Sequence, residues 1–214
     1  MRPAKKPLRA PILPMDLEAR SLTTIDAAEL EQCRLDGCTL SNQAGEHIRL
    51  DAVKILGGSL SATKLTYVTW LDVLCERCDL SMIEWRVLKL TRVEVRDSRI
   101  TGARFNEGEF DNVRFVECQL DYASFLEARF RHVAFEACRL KEADFTGADL
   151  AGSSFMRCDL KGVDFTGAKL HGADVSTSSL TQVRVNPTDV RGLVVNREQA
   201  AILSQLFGLV LCDE

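Results

Sequence analysis

The chain has 214 residues, 46% hydrophobic and 27% charged, with a formal net charge of −4. No apolar run is long enough to span a bilayer, which argues against a membrane protein. Arg2, Lys5, Lys6 and Arg9 contribute +4, so residues 11–214 carry −8 (−4 minus +4) and lack the basic stripe that direct nucleic-acid binding requires.

Residues 1–16 read as a basic, Pro-rich arm. Its prolines cannot sustain a helix or an inner strand. It contains no apolar h-region of a secretory signal, so a cytoplasmic protein is expected. Two placements are open for the arm: disorder, or a path along the first coil that covers its edge.

Residues 17–195 carry a period of five. In Lys141–Val175 the units are KEADF, TGADL, AGSSF, MRCDL, KGVDF, TGAKL and HGADV. Almost every residue number divisible by five is bulky and apolar, from Ile25 to Val195, with Gly45 and Cys75 the weak positions. Two places before each stands a smaller residue. Residues two apart on an extended segment point the same way, so each unit is one short side with two inward side chains. The remaining residues, rich in Gly, Asp, Asn and Thr, turn the chain.

The cysteines fix the number of sides. Cys38, Cys78, Cys118, Cys138 and Cys158 differ by multiples of twenty and each precedes a leucine by two. Twenty residues is four units, which predicts a four-sided coil. Phe105, Phe115, Phe125, Phe135, Phe145, Phe155 and Phe165, with Cys118, Cys138 and Cys158, are the predicted interior. Eight cysteines also invite a disulfide or zinc reading, and Cys75 and Cys78 form a CxxC pair. Six of the eight fall where the period needs a small buried group, so they are expected to be free thiols and no metal site is expected.

Up to about Ile100 the inner position holds larger residues (Ile48, Val53, Val68, Val73, Leu88, Val93), which predicts a wider or distorted coil. Gly45, lacking a side chain, marks an expected bulge or mobile corner. Leu71, Leu74, Met82 and Val87 fall at nominally outward positions. They form either an exposed apolar patch or, if the register inverts locally, core.

Residues 196–214 break the period. Asn196 with Gln199 has the form of a capping box. Ala200, Leu203, Leu206 and Phe207 follow at helical spacing, Gly208 stops the helix, and Leu209–Leu211 reads as a short strand. A solenoid's last coil must be covered, so this segment is a cap alone, or a cap that also forms a homodimer interface.

The units EADF, TGADL, VDFTG and TGAKL resemble the A(D/N)LXX pattern of the pentapeptide repeat family over about four-fifths of the chain. The resemblance implies an all-β solenoid, a right-handed quadrilateral β-helix of about eight coils. At roughly 4.8 Å per coil this is a rod of roughly 40 Å. Several family members bind DNA gyrase or topoisomerase IV and protect it from quinolones or peptide toxins. In gyrase-interacting members a C-terminal helix and tail mediate dimerisation. Members of one quinolone-resistance branch carry projecting loops, and this sequence shows no such insertion.

No catalytic residue and no cofactor site is expected. His47, His132 and His171 fall on corners or outer positions, with no nucleophile pattern beside them. No phosphate-cradling glycine loop opens a helix. The expected function therefore lies on the outer surface. One column, Lys89, Glu109, Arg129, Asp149 and Lys169, alternates in sign as a self-satisfied ladder. Glu107, Glu109, Asp111, Glu117, Asp121 and Glu127 form an expected acidic band, either a solvated face or a surface for a protein partner. Two functions follow: a DNA-mimicking protein-interaction module acting on gyrase or topoisomerase IV, or a generic scaffold with another protein partner.

Overall fold

The computed structural model describes residues 7–212. The chain forms β1 (Glu18–Arg20), β2 (Glu29–Glu31), β3 (Cys33–Asp36), β4 (Ala44–Asp51), β5 (Lys54–Leu56), β6 (Lys64–Glu76), β7 (Glu84–Arg96), β8 (Glu109–Val116), β9 (Arg129–Glu136), β10 (Ser154–Met156) and α1 (Arg197–Leu206). Every strand pairing is parallel and belongs to one sheet that winds on itself. The offset is twenty residues: Lys64 pairs with Glu84, Lys89 with Glu109, Glu109 with Arg129. One side is an unbroken ladder through Thr39, Ser59, Asp79, Arg99, Gln119, Arg139, Asp159 and Ser179. Four units thus close each coil, and the fold is a parallel four-sided β-solenoid.

The local cause lies in the corners. From Ala27 to Gly172 every fifth residue, two after each interior position, adopts positive φ, whether glycine (Gly147, 67°) or not (Glu127, 56°). Where the next residue is small, its amide closes the turn, as in Ala128 N to Phe125 O at 3.0 Å and Ala148 N to Phe145 O at 3.0 Å. Positive φ at the third residue with this hydrogen bond is the type II pattern. One left-handed residue per five is what converts a flat strand into a coil.

The interior is continuous. Phe105, Phe115, Phe125, Phe135, Phe145, Phe155 and Phe165 are all buried, as predicted. Phe125 stacks between Phe105 (centroids 5.3 Å apart) and Phe145 (4.8 Å), and Phe135 lies on Phe155 at 4.8 Å. Such stacked and edge-on rings add to area burial. The cysteine column is explained by hydrogen bonding. Cys118, Cys138 and Cys158 each place Sγ 3.4 Å from a carbonyl of the preceding coil, at Val95, Phe115 and Phe135. Ser178 uses the same geometry at 2.9 Å to Phe155 O, so the column takes any small donor. Beside the Cys118 sulfur and in a buried setting, the Cys138 thiol is pushed up to about 12. Seven cysteines are buried and free, and Cys212 is exposed.

Three expectations are corrected. The large inner residues Ile48, Val53, Val68, Val73, Leu88 and Val93 do not distort the coil: all are buried, and the twenty-residue offset passes through them. Instead, β6 and β7 pair through their corners, and only the left-handed residues Tyr67 and Asp72 drop out of register. Gly45 is neither a bulge nor a mobile corner. It pairs with Leu65 inside β4, and it must be glycine because a Cβ there would lie 2.7 Å from Asp26 Cα. Finally, Leu209–Leu211 is not a strand but an exposed tail following the helix.

The ends are handled differently. Glu18 pairs with Cys33, an offset of fifteen, so the first coil is one side short. At the other end the Asn196–Gln199 capping box forms as expected. The Gln199 side chain then donates to Val175 O and Ser178 O, both at 2.7 Å, and Asn196 donates to Ser176 O at 2.8 Å. These amides satisfy carbonyls that the last coil would leave open. Leu203 is buried on the core and Phe207 packs against it, whereas Ala200 and Leu206 face outward. The capping half of the expected surface is therefore Leu203 and Phe207, and the outward half is Ala200 and Leu206.

Candidate protein-interaction surface

Side chains leave the coil from the sides and from the four left-handed corner columns. The six acidic residues predicted to form one band do not share a face. Glu107 and Glu127 stand on one corner column, twenty residues apart. Glu109 and Asp111 lie on the side next to it. Glu117 stands on a corner column beyond a further side. Asp121 is buried, takes the Arg139 guanidinium, and accepts the Lys141 amide at 3.1 Å. The band fails because a coil turns about ninety degrees every five residues, so positions that are close in sequence diverge in space.

Their partners differ too. Glu109 meets Arg129 at 3.4 Å, and Asp149 meets Lys169 at 3.2 Å. The alternating column thus holds two separate ion pairs rather than the continuous ladder expected, and such exposed pairs contribute little each. Asp111 is 3.7 Å from His132 Nδ1. Glu107, Glu117 and Glu127 are exposed and make no ion pair among the described residues. These three carboxylates thus stand exposed at corners with no cation beside them among the described residues.

The apolar residues divide the same way. Leu71 and Leu74 are half-buried on the two sides that meet at the Asp72 corner. Met82 and Val87 are exposed at corners bounding a different side. They are not one patch, and the register is not inverted.

The arm does not cover the first coil. It runs along the corner column of Asp72, Arg92 and Asn112: Arg9 N donates to Asn112 Oδ1 at 3.0 Å and Ile12 N to Asp72 Oδ1 at 2.9 Å. Three residues thus span two coils, which requires extended backbone. Asp72 is buried and also takes Arg92 Nε at 2.7 Å. Burial pushes its carboxyl up, but the Arg92 guanidinium and the Ile12 amide outweigh it and hold the group below the ordinary range. Residues 1–6 of the predicted arm, with Arg2, Lys5 and Lys6, lie outside the described residues.

Beyond the arm the same column continues as His132, Gly152 and Gly172. Loss of the side chains opens a groove of about 1090 Å³ that reaches from Pro7 and Leu8 to His171. The three histidines are separate: His47 stacks on Tyr67 at 4.8 Å, His132 lies by Asp111, and His171 lies against Gly192. Among the described residues no three His, Cys, Asp or Glu groups gather as metal ligands. Among the described residues no helix is long and apolar enough to cross a membrane.

The pentapeptide repeat region model matches residues 90–165. No curated protein matches the chain. Among solved structures, full-length QnrB1, a plasmid-mediated fluoroquinolone resistance protein, is similar at 22% identity, over 90% of this chain and 98% of that one, with a TM-score of 0.39. HetL, a pentapeptide repeat protein of heterocyst differentiation regulation from the cyanobacterium Nostoc, is similar at 17% identity over 78% and 87%, with a TM-score of 0.31. A pentapeptide repeat protein of the Arabidopsis thaliana thylakoid lumen is similar at 22% identity over 49% and 77%, with a TM-score of 0.26. Residues 90–165 are a pentapeptide repeat region, and the twenty-residue register of that region runs on through the coils at either end of it.

Proposed function

We propose that the protein is a non-enzymatic protein-interaction rod whose Glu107–Glu127 corner enters a basic, DNA-binding surface of a partner, with DNA gyrase or topoisomerase IV as the partner class. The observation that carries this reading is that both carboxylates project from left-handed corners, exposed and without an ion pair among the described residues. Stacked like charges are unfavourable in the free protein and gain from a cationic partner. The coils present these charges at roughly 4.8 Å steps along a straight edge. Absence of projecting loops in the repeat leaves the rod surface itself as the contacting element.

The test is a gyrase supercoiling titration with and without a fluoroquinolone, at two salt concentrations, comparing the natural chain with Glu107→Lys/Glu127→Lys. Inhibition or protection that weakens with salt and is lost in the double variant is expected. An effect of equal size in the variant would overturn the corner assignment, and no effect of the natural chain would overturn gyrase as the partner.

A further inference from the structure

Among the described residues, the coils expose four large apolar side chains: Tyr67, Met82, Val87 and Tyr122. All four stand on left-handed corners. All four also fall on the two corner columns that bound a single side, the one with Trp85 inside. Met82 and Tyr122 line one edge, Tyr67 and Val87 the other. Met82 Sδ leans over Gly102, where an added Cβ would lie only 2.6 Å away, and so extends its edge toward Tyr122.

One rung of this side has mirror order. Reading across it, the outward side chains run Met82, Glu84, Arg86 and Val87, with Ile83 and Trp85 turned inward. Arg86 is exposed and makes no ion pair among the described residues. Glu84 is shared only with exposed Lys64 (3.9 Å) and Arg104 (3.6 Å). The arm lies on the Asp72 corner and does not bound this side.

We propose that this side is a self-association surface whose occupant is a second copy of the chain, packed side against side with the two rods parallel. A two-fold axis parallel to the rod and passing midway between the two corner columns exchanges the two edges. Met82 then faces Val87 of the second copy, and Glu84 comes within side-chain reach of its Arg86. Two-fold symmetry makes each contact twice. On another rung Tyr122 faces Glu127 of the second copy, where a phenol hydroxyl can donate to a carboxylate. The symmetry is written in the rung itself: a heterologous partner would not need acid and base, or apolar and apolar, at mirrored places. The surface shares the Glu127 edge with the corner proposed for gyrase, so self-association and partner binding compete.

The test is the solution mass of the full chain by light scattering across concentration. Val210→Asp is the background, to silence the exposed C-terminal tail. A mass twice 23.8 kDa is expected. Arg86→Glu should raise the dissociation constant by about tenfold or more, with circular dichroism confirming that the coil still folds. Met82→Lys serves as an independent disruptor at the other edge. In Cys212→Ser, Met82→Cys combined with Val87→Cys should crosslink two copies under mild oxidant, whereas Met82→Cys alone should not. A monomer at every concentration overturns the proposal. So does a dimer indifferent to both disruptors, and so does a crosslink formed by Met82→Cys alone. None of these readouts involves gyrase, so this inference and the preceding one fail separately.

Discussion

The lower coils, residues 44–96, and the upper coils, residues 101–180, solve one geometric problem in two ways. In the lower coils the strands are long: β6 and β7 pair through their corners, and the corner residues are Tyr67, Asp72, Val87 and Arg92. In the upper coils the long pairing persists only in β8 and β9, the other sides keep about one bridged residue each, and glycines take over many corners, at 102, 147, 152, 162, 167 and 172. The interior changes in step. Lower sides pair Leu50 with Ile48 and Ile55 with Val53, whereas upper sides pair Phe105, Phe125 and Phe145 with Ala103, Ala123 and Ala143. The trade is confined to some sides, since Phe115, Phe135 and Phe165 stand with Val113, Val133 and Val163, and Trp85 with Ile83. Gly108 shows how tight the packing is, since a Cβ there would come within 2.9 Å of the Phe110 ring.

The difference has surface consequences, clearest on one corner column. Its lower part bears Asp72, Arg92 and Asn112, and these hold the arm. Its upper part bears Gly152 and Gly172 and is an open groove. A left-handed corner with a side chain costs backbone energy but supplies a radial functional group; a glycine corner removes the strain and supplies nothing.

The comparison can be broken most severely in the core. Phe125→Asp places a carboxylate between two stacked rings and should cost at least about 5 kcal/mol, enough to prevent folding. A soluble variant with unchanged circular dichroism would show that the upper interior is not the stacked column described. A smaller effect is expected at the arm. Asp72→Asn weakens charge-assisted bonds to Arg92 and Ile12 and should reduce arm docking by about 1.5–3 kcal/mol, read as faster hydrogen exchange at the Ile12 amide. The same contact has a pH signature. The Asp72 carboxyl is depressed in the folded protein, so its contribution is complete above the ordinary value of 3.8 and is lost as pH falls below it through the folded value. A protection factor at Ile12, the intrinsic rate at each pH divided by the observed one, that stays constant below pH 4 would remove Asp72 as the anchor. The smallest effects test the corners alone. Gly152 has open space around it, so Gly152→Val should cost about 1–2 kcal/mol from φ strain only. Ala137→Gly, at a non-glycine corner with φ of 50°, should instead stabilise by about 0.5 kcal/mol, the strain relieved less the added chain entropy. Thermal denaturation of the pair would show whether glycine corners and side-chain corners differ in backbone cost at all.

The period itself determined the coil. Bulky residues at multiples of five, small ones two before, and cysteines at multiples of twenty gave the interior, the four sides and the free thiols, because these are consequences of which way successive side chains point. The Asn196–Gln199 cap was legible for the same local reason. What the tertiary structure alone decided is everything that depends on which coil lies next to which. Glu107 and Glu127 share an edge while Glu117 and Asp121 do not, because ninety-degree corners separate residues ten apart and unite residues twenty apart. The place of the arm was invisible in sequence, since it is set by a buried Asp72 and an Asn112 forty residues apart that only stacking brings into one line. Gly45 read as a gap because the atoms that fill it, those of Asp26, come from the coil below.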